Sequence, residues 1–258
     1  MEVDTLFDLT GKVAVVTGGG DGIGKGCCQI LAAAGASVVV SDLSLDKAEE
    51  VAESIKSSGG HAVATECNVM KKEDLANLIE FAVKSYGTIN ILVNNAGMGG
   101  GGRENPFNID LEYVERIYAI NVFAPWQLIK LAAPYMKDSG YGSIINITSM
   151  SSINTSPSMA IYGSSKAALN HLAANLAFDY GPMGIRINNV GPGATKTHAL
   201  ASVLTPEIEQ RMLAHTPLMR LGEISDIAGA VLYFASPVSA WVSGQVLMVN
   251  GGGVQTLD

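Results

Sequence analysis

The hydrophobic pattern of the chain alternates between two kinds of segment. Short β-branched apolar runs such as KVAVVT (12–17) are typical of strands that are covered on both faces. Longer segments such as LDKAEEVAESIKSSG (45–59) carry apolar residues at helical spacing, with charges on the opposite face. Seven such strands alternate with helices. The pattern predicts an α/β fold of the Rossmann type, with a doubly wound parallel sheet and helices on both faces.

Residues 1–258 are expected to form a single dinucleotide-binding and catalytic domain, because no linker, repeat or composition break divides them. A long helix is predicted over about 111–137, with a kink at Pro125. Residues 194–222 are too many and too apolar for a simple connection, so a short helical lid is predicted there. The lid contains five candidates for substrate contact or, equally, for core packing: Leu204, Met212, Leu213, Leu218 and Met219.

Composition narrows the classes of protein to which the chain can belong. It is 48% hydrophobic and 16% charged, which is typical of a globular core. No uncharged apolar run reaches the roughly 18 residues of a membrane span. The start, MEVDTLFDLTGK, lacks the basic and then apolar order of a secretory signal. We therefore expect a cytoplasmic protein with no membrane partner.

Charge, cysteine and histidine usage exclude other classes. The net charge of −8 and the absence of a Lys and Arg cluster argue against nucleic acid as a partner. The three cysteines, Cys27, Cys28 and Cys67, are predicted to be reduced packing residues. Four histidines stand far apart without partners at metal-ligand spacing, so no metal site is expected.

A glycine-rich turn follows the first predicted strand. The sequence GGGDGIG (18–24) stands between KVAVVT and a helical segment. Glycines let a backbone approach a pyrophosphate, and a helix N-terminus offers free N–H groups there. Gly18, Gly22 and Gly24 are therefore predicted to form a phosphate-binding turn, although a flexible turn that needs positive φ remains an alternative.

Asp42 ends the second predicted strand, 18 residues after Gly24. A carboxylate at that position can accept hydrogen bonds from the adenosine ribose hydroxyls, while its charge repels a 2′-phosphate. Residues 19–21 contain no Arg or Lys that could bind such a phosphate. NAD is therefore preferred over NADP. The alternative is that Asp42 is an N-cap or turn residue for the helix that begins near Leu45.

Three polar side chains within 149–166 are candidates for the chemistry. Ser149 follows an apolar run, and Tyr162 and Lys166 stand four residues apart, so both project from one face of a helix. A nearby ammonium is expected to lower the pKa of Tyr162 from about 10, so that the phenol can exchange a proton with an alcohol or ketone. Ser149 could polarise the same oxygen. The spacing alone is weak evidence, because an exposed lysine beside a half-buried tyrosine gives the same pattern.

Two further segments and one buried amide have open interpretations. Asn94 to Gly97 end the fourth predicted strand, where they suit either a turn or the space that an adenosine needs. Residues 97–102 are a mobile loop or a pocket wall without side chains. Asn121 lies among apolar helical residues, where an amide usually satisfies backbone groups.

Six motifs stand in order along the chain: Thr17-Gly18-x-x-x-Gly22-x-Gly24, Asn94-Asn95-Ala96-Gly97, Asn121, Ser149, Tyr162-x-x-x-Lys166 and Pro192-Gly193. Together they resemble the classical short-chain dehydrogenase/reductases over the whole chain. Within that family, residues 202–222 and 239–255 are similar to the bacterial NAD-dependent 7α-hydroxysteroid dehydrogenases. The resemblance implies hydride transfer between NAD and C7 of a bile acid, with a 7-oxo product. It also implies a homotetramer built on the helices of 111–137 and 161–180.

The resemblance assigns roles to individual residues. Asn121 would hold a water of a proton relay, and Ser149 would position the substrate oxygen. Tyr162 would be the acid and base, while Lys166 would lower its pKa and bind the nicotinamide ribose. The implied cofactor contacts are Gly18, Gly22, Ile23, Gly24, Asp42, Leu43, Asn68, Val69, Asn95, Tyr162, Lys166, Thr195 and Thr197. The implied substrate contacts are Gly99, Ser149, Asn154 and Tyr162.

Three positions depart from the family pattern, and two other functions stay open. Asn68 stands where Asp is usual, Gly191 replaces Ala or Ser before Pro-Gly, and His198 replaces Asp. A 3-oxoacyl-carrier-protein reductase shares the fold and the tetrad, but Asp42 and the missing basic group oppose it. A catalytically silent nucleotide sensor would be expected to lack Tyr162 or Lys166, and both are present.

Overall fold

A computed structural model describes residues 3–99, 104–155, 157–202 and 204–253. Residues 100–102 of the predicted glycine-rich segment lie outside these ranges, as does residue 203 of the predicted lid. None of the described helices is long and apolar enough to cross a membrane.

The described strands join in one parallel sheet. Their bounds are β1 Val13–Thr17, β2 Ser37–Asp42, β3 His61–Glu66, β4 Ile91–Asn94, β5 Gly142–Ile147, β6 Ile185–Pro192 and β7 Val246–Val249. The spatial order is β3-β2-β1-β4-β5-β6-β7, and every neighbouring pair is parallel. The predicted doubly wound, seven-stranded parallel sheet is confirmed.

Helices cover both faces of the sheet, as predicted. Their bounds are α1 Val3–Leu6, α2 Gly22–Ala33, α3 Leu45–Ser57, α4 Lys72–Tyr86, α5 Leu111–Tyr118, α6 Ala124–Asp138, α7 Ala160–Tyr180, α8 His198–Ala201, α9 Pro206–Ala214 and α10 Ile224–Ala235. One face carries α2, α3 and α10, and the other carries α4, α6 and α7.

The central strand β1 is apolar almost throughout because both of its faces are buried. Side chains alternate across a strand. In β1, Ala14 and Val16 pack in the layer of α2, α3 and α10, whereas Val15 packs in the layer of α4, α6 and α7. Each core therefore takes alternate residues of the same run, and the run carries no polar side chain until Thr17.

The prediction of one long helix over 111–137, kinked at Pro125, is wrong in one respect, because the helix is interrupted before Pro125. A π turn, Ala119–Phe123, separates α5 from α6. Pro125 has no N–H group, so the carbonyl of Asn121 has no donor four residues further on and a wider turn costs little there. The interruption is therefore centred on Asn121, and the helix resumes through Pro125.

The order of the strands reverses at the junction of β1 and β4. The connections that follow these two strands run to opposite faces of the sheet, which opens a crevice at their carboxyl ends. The glycine turn follows β1, and Asn95 follows β4. The fold therefore brings the sequence motifs to one edge of the sheet.

Candidate functional site

A cleft of about 670 Å³ lies at this edge of the sheet. It receives residues from the ends of β1 to β6, from α7 and from the segment that leads into α8. Most of the predicted site residues line it, namely Gly18, Gly22, Ile23, Asp42, Leu43, Asn68, Val69, Asn95, Gly99, Ser149, Tyr162, Lys166, Thr195 and Thr197. Gly24, Asn121 and Asn154 do not line it.

The glycine turn has the backbone that its sequence requires. Gly18 and Gly22 have φ values of 62° and 53°, in the left-handed region that favours glycine. Asp21 caps α2, because its carboxylate accepts from the N–H of Gly22 at 2.7 Å. Gly24 lies behind the turn, where an added Cβ would collide with the Gly18 carbonyl and the Asn95 amide. Its part in the site is therefore close packing and not direct contact with the cleft.

The turn after β4 is bonded to the turn after β1. The Asn95 amide donates to the carbonyls of Thr17 and Gly18, both at 2.9 Å. The Thr17 hydroxyl accepts from the N–H groups of Asn95 and Ala96, both at 3.1 Å. These four bonds hold the two connections at the crevice in one arrangement, and they leave the glycines facing the cleft.

Asp42 contributes a partly exposed carboxylate to the cleft. Its oxygens accept from the N–H groups of Gly20 and Ser44, both at 3.0 Å. Ser44, not Asp42, is the N-cap of α3, so the N-cap alternative for Asp42 is wrong, although its bond to Ser44 is a turn contact. The nearby Lys47 pairs with Asp21 at 3.3 Å. Lys47, a basic residue near Asp42, is therefore already paired with a carboxylate.

The three residues proposed for the chemistry converge in the cleft. Ser149 begins a 3₁₀ turn, and its hydroxyl accepts from the N–H of Ser151 at 3.1 Å. It also forms a hydrogen bond with Tyr162. Lys166 is 4% exposed, and its Nζ lies 5.9 Å from the centroid of the Tyr162 ring. That ammonium donates to the carbonyl of Ile147 at 3.0 Å.

The expected lowering of the tyrosine pKa is wrong. Burial raises the pKa of Tyr162, and the hydrogen bond with Ser149 only opposes that change. Lys166 is held by the Ile147 carbonyl, beside the ring and not at the phenolic oxygen. Burial also lowers the pKa of Lys166 to about 8, so the ammonium keeps its proton at pH 7 but releases it at a lower pH than an exposed lysine would.

Asn121 is completely buried and lies behind the cleft. Its side-chain oxygen accepts from the N–H of Met98 at 3.0 Å. Its amide nitrogen donates to the Met98 carbonyl at 2.9 Å and to Ser165 at 3.0 Å. The side chain thus satisfies backbone groups, as one interpretation of the sequence expected, and it ties the loop after β4 to α7. The water of a proton relay stays a prediction.

Of the predicted substrate contacts, Gly99 lines the cleft and Asn154 does not. Gly99 faces Tyr162, and a Cβ added there would lie 3.5 Å from the ring, so the glycine leaves the phenol accessible. Asn154 instead donates to the Gly253 carbonyl at 3.0 Å. None of the five apolar candidates in the predicted lid lines the cleft, and none is fully buried.

The structure shows the surroundings of the three residues that depart from the family pattern. Met248 fills the space beside Gly191, where an added Cβ would collide with its sulfur. The side-chain oxygen of Asn68 accepts from the N–H of Met70 at 3.0 Å, so its contact with an adenine stays a prediction. His198 begins α8 and lines the cleft.

Several lining residues were not predicted as contacts, among them Asp21, Met70, Met98, Ile120 and Thr148. A usable signal existed for Thr148, since it follows a buried strand and the carboxyl ends of parallel strands meet at the crevice. Within the described residues, no group of three or more His, Cys, Asp or Glu side chains could hold a metal ion.

The parallel sheet, the glycine turn before α2 and the polar cluster at the strand ends define a Rossmann-type dinucleotide-binding oxidoreductase. A family model described as enoyl-(acyl carrier protein) reductase matches residues 18–253. The chain belongs to the short-chain dehydrogenase/reductase family.

Named relatives agree with this assignment. The chain is 49% identical over 250 residues to a 7α-hydroxysteroid dehydrogenase of Escherichia coli K12, covering 97% of each chain. It is 38% identical to one of Clostridium sardiniense, over 95% of this chain and 94% of the other. A solved 7α-hydroxysteroid dehydrogenase, complexed with NADH and 7-oxo glycochenodeoxycholic acid, matches with a TM-score of 0.94 and 48% identity, over 100% of both chains.

Proposed function

We propose that the protein is an NAD-dependent oxidoreductase that oxidises the 7α-hydroxyl of a bile acid to a 7-oxo group. The observation that carries the proposal is the convergence of Ser149, Tyr162 and Lys166 in a cleft that also contains Asp42. The relatives support the substrate class, because a relative of 48% identity binds NADH and a 7-oxo bile acid.

The residues of the cleft fit a dinucleotide. Gly18 and Gly22 present bare backbone beside the N-terminus of α2, which suits a pyrophosphate. The Asp42 carboxylate suits the ribose hydroxyls and opposes a 2′-phosphate. Asn95 and Thr197 line the same cleft.

The chain's own groups would perform the proton chemistry. When bound, NAD supplies the hydride acceptor and a positive charge near the phenol. Ser149 would hold the substrate hydroxyl, and Tyr162 in its phenolate form would accept the hydroxyl proton as the C–H bond is cleaved. Lys166 would bind the nicotinamide ribose. In the reverse direction, the raised pKa of Tyr162 keeps the phenol protonated and ready to donate.

The test is NADH formation with matched bile acids. Cholate carries a 7α-hydroxyl and deoxycholate lacks it. We expect NADH formation with cholate, almost none with deoxycholate, and lower kcat/KM with NADP than with NAD. Equal rates on the two bile acids would reject the proposed regiospecificity. Turnover of NADPH with an acetoacetyl or crotonyl thioester in place of any steroid reaction would favour an acyl-carrier-protein reductase, the description that the family model carries.

We also propose that the chain is a single domain, with 194–222 closing over substrate, and that it assembles as a cytoplasmic homotetramer. Large aromatic side chains are exposed on or beside α6 and α7, namely Phe123, Trp126 and Phe178. Exposed apolar groups of this size mark interaction surfaces. Light scattering of the purified protein tests the assembly, and a monomer would contradict it.

A further inference from the structure

Two acidic or basic side chains are buried among the described residues, Glu104 and Lys166. Lys166 belongs to the cleft, whereas Glu104 is 4% exposed and does not line it. A buried carboxylate is costly unless hydrogen bonds satisfy its oxygens. The bonds that Glu104 makes therefore indicate what it does.

Glu104 binds the first turn of the helix that carries Tyr162. Its Oε2 accepts from the N–H of Ile161 at 2.7 Å, and its Oε1 accepts from the N–H of Tyr162 at 3.0 Å. Met159, the N-cap of α7, makes no side-chain cap bond. Glu104 is thus a cap supplied from a distant segment, with a negative charge at the positive end of the helix.

Two more contacts fix Glu104 itself. Its Oε1 accepts from the hydroxyl of Tyr113 on α5 at 3.1 Å, and burial together with this carboxylate raises the pKa of Tyr113. The N–H of Glu104 donates to the carbonyl of Ser158 at 3.2 Å, and Ser158 has a φ of 58°. Glu104 therefore joins α5, the approach to α7 and the backbone of Tyr162.

We propose that Glu104 is a positioning residue, which holds the first turn of α7 and with it the Tyr162 phenol in place. The inference rests on the proposed role of Tyr162 in proton transfer. Displacement of a reacting group by about 1 Å can lower a rate by about 10²-fold.

The experiment compares Glu104→Ala, Glu104→Gln and Tyr113→Phe with wild type, in steady-state oxidation of cholate by NAD. We expect Glu104→Ala to lower kcat about tenfold or more, with KM for NAD within about twofold, because the backbone N–H groups lose their acceptor. Glu104→Gln should lose less, since one amide oxygen still accepts. Tyr113→Phe should lower kcat less than either.

The controls separate position from folding. Glu112→Gln removes an exposed carboxylate of α5 and should leave kcat and its pH profile unchanged. The inference is overturned if kcat of Glu104→Ala stays within twofold of wild type, if Glu104→Gln loses as much as Glu104→Ala, or if the loss of kcat equals the loss of folded protein. Tyr162→Phe is measured in parallel: retained turnover there would refute the proposed function, whereas an inactive Tyr162→Phe with normal Glu104 variants would refute only this inference.

Discussion

The buried ammonium of Lys166 makes stability depend on pH. Burial lowers its pKa to about 8, from the ordinary value of 10.5 that the unfolded chain would have. Between these two values the unfolded chain binds a proton that the folded protein has released. The free energy of unfolding must therefore rise as pH rises from about 8 towards 10.5. As pH falls, this stabilisation is lost by about pH 8.

The size of the effect follows from the two pKa values. At pH 7 the Lys166 side chain is protonated in both states, so its pH-dependent contribution to the free energy of unfolding is close to zero. At pH 9.5 the folded protein has lost most of it and the unfolded chain keeps most of it, which gives about 2 kcal/mol of stability. Lys166→Met fills similar space and removes the titration. The difference between wild type and this variant should thus grow by about 2 kcal/mol between pH 7 and pH 9.5.

Urea unfolding at fixed protein concentration measures this difference at several pH values. The matched control is Lys130→Met, which removes an exposed lysine of α6 and should show no such growth. A wild-type minus Lys166→Met difference that stays flat, or that falls with pH, would refute the conclusion that Lys166 is a desolvated ammonium.

Three other substitutions test the cleft and its support. Asp42→Asn removes the charge that opposes a 2′-phosphate, so the ratio of kcat/KM for NADP to that for NAD should rise about tenfold or more in steady-state assays. Gly191→Ala should cost about 0.5–1.5 kcal/mol in urea unfolding, because the flexible end of the Met248 side chain must turn away from the added Cβ, and adding Met248→Ala should recover part of that cost. Gly24→Ala forces the turn away from Asn95, so NADH affinity measured by fluorescence should fall. Unchanged values would contradict each expectation in turn.

The fold was predictable because burial on both faces leaves a clear run of apolar residues, as in β1. The chemistry was largely predictable as well, since Tyr162 and Lys166 share one helix and Ser149 lies only 13 residues before Tyr162. Their helical spacing places them on one face, and the strand end places the serine beside them.

Other features depend on contacts between distant segments and left no local pattern. Glu104 caps a helix that begins 56 residues later, so no local capping motif in the sequence predicts this contact. Asn154 was assigned to substrate by resemblance, yet it binds the carbonyl of Gly253. The pKa of Tyr162 was misjudged because helical spacing does not indicate how deeply the phenol is buried.

The central claim is that the Tyr162 phenol moves the proton when a 7α-hydroxysteroid is oxidised. The most direct test is NADH formation from cholate by Tyr162→Phe, with NADH affinity measured on the same preparation. We predict that turnover falls by about 10²–10⁴-fold while NADH binds within about twofold of wild type. Turnover close to the wild-type rate would contradict the account.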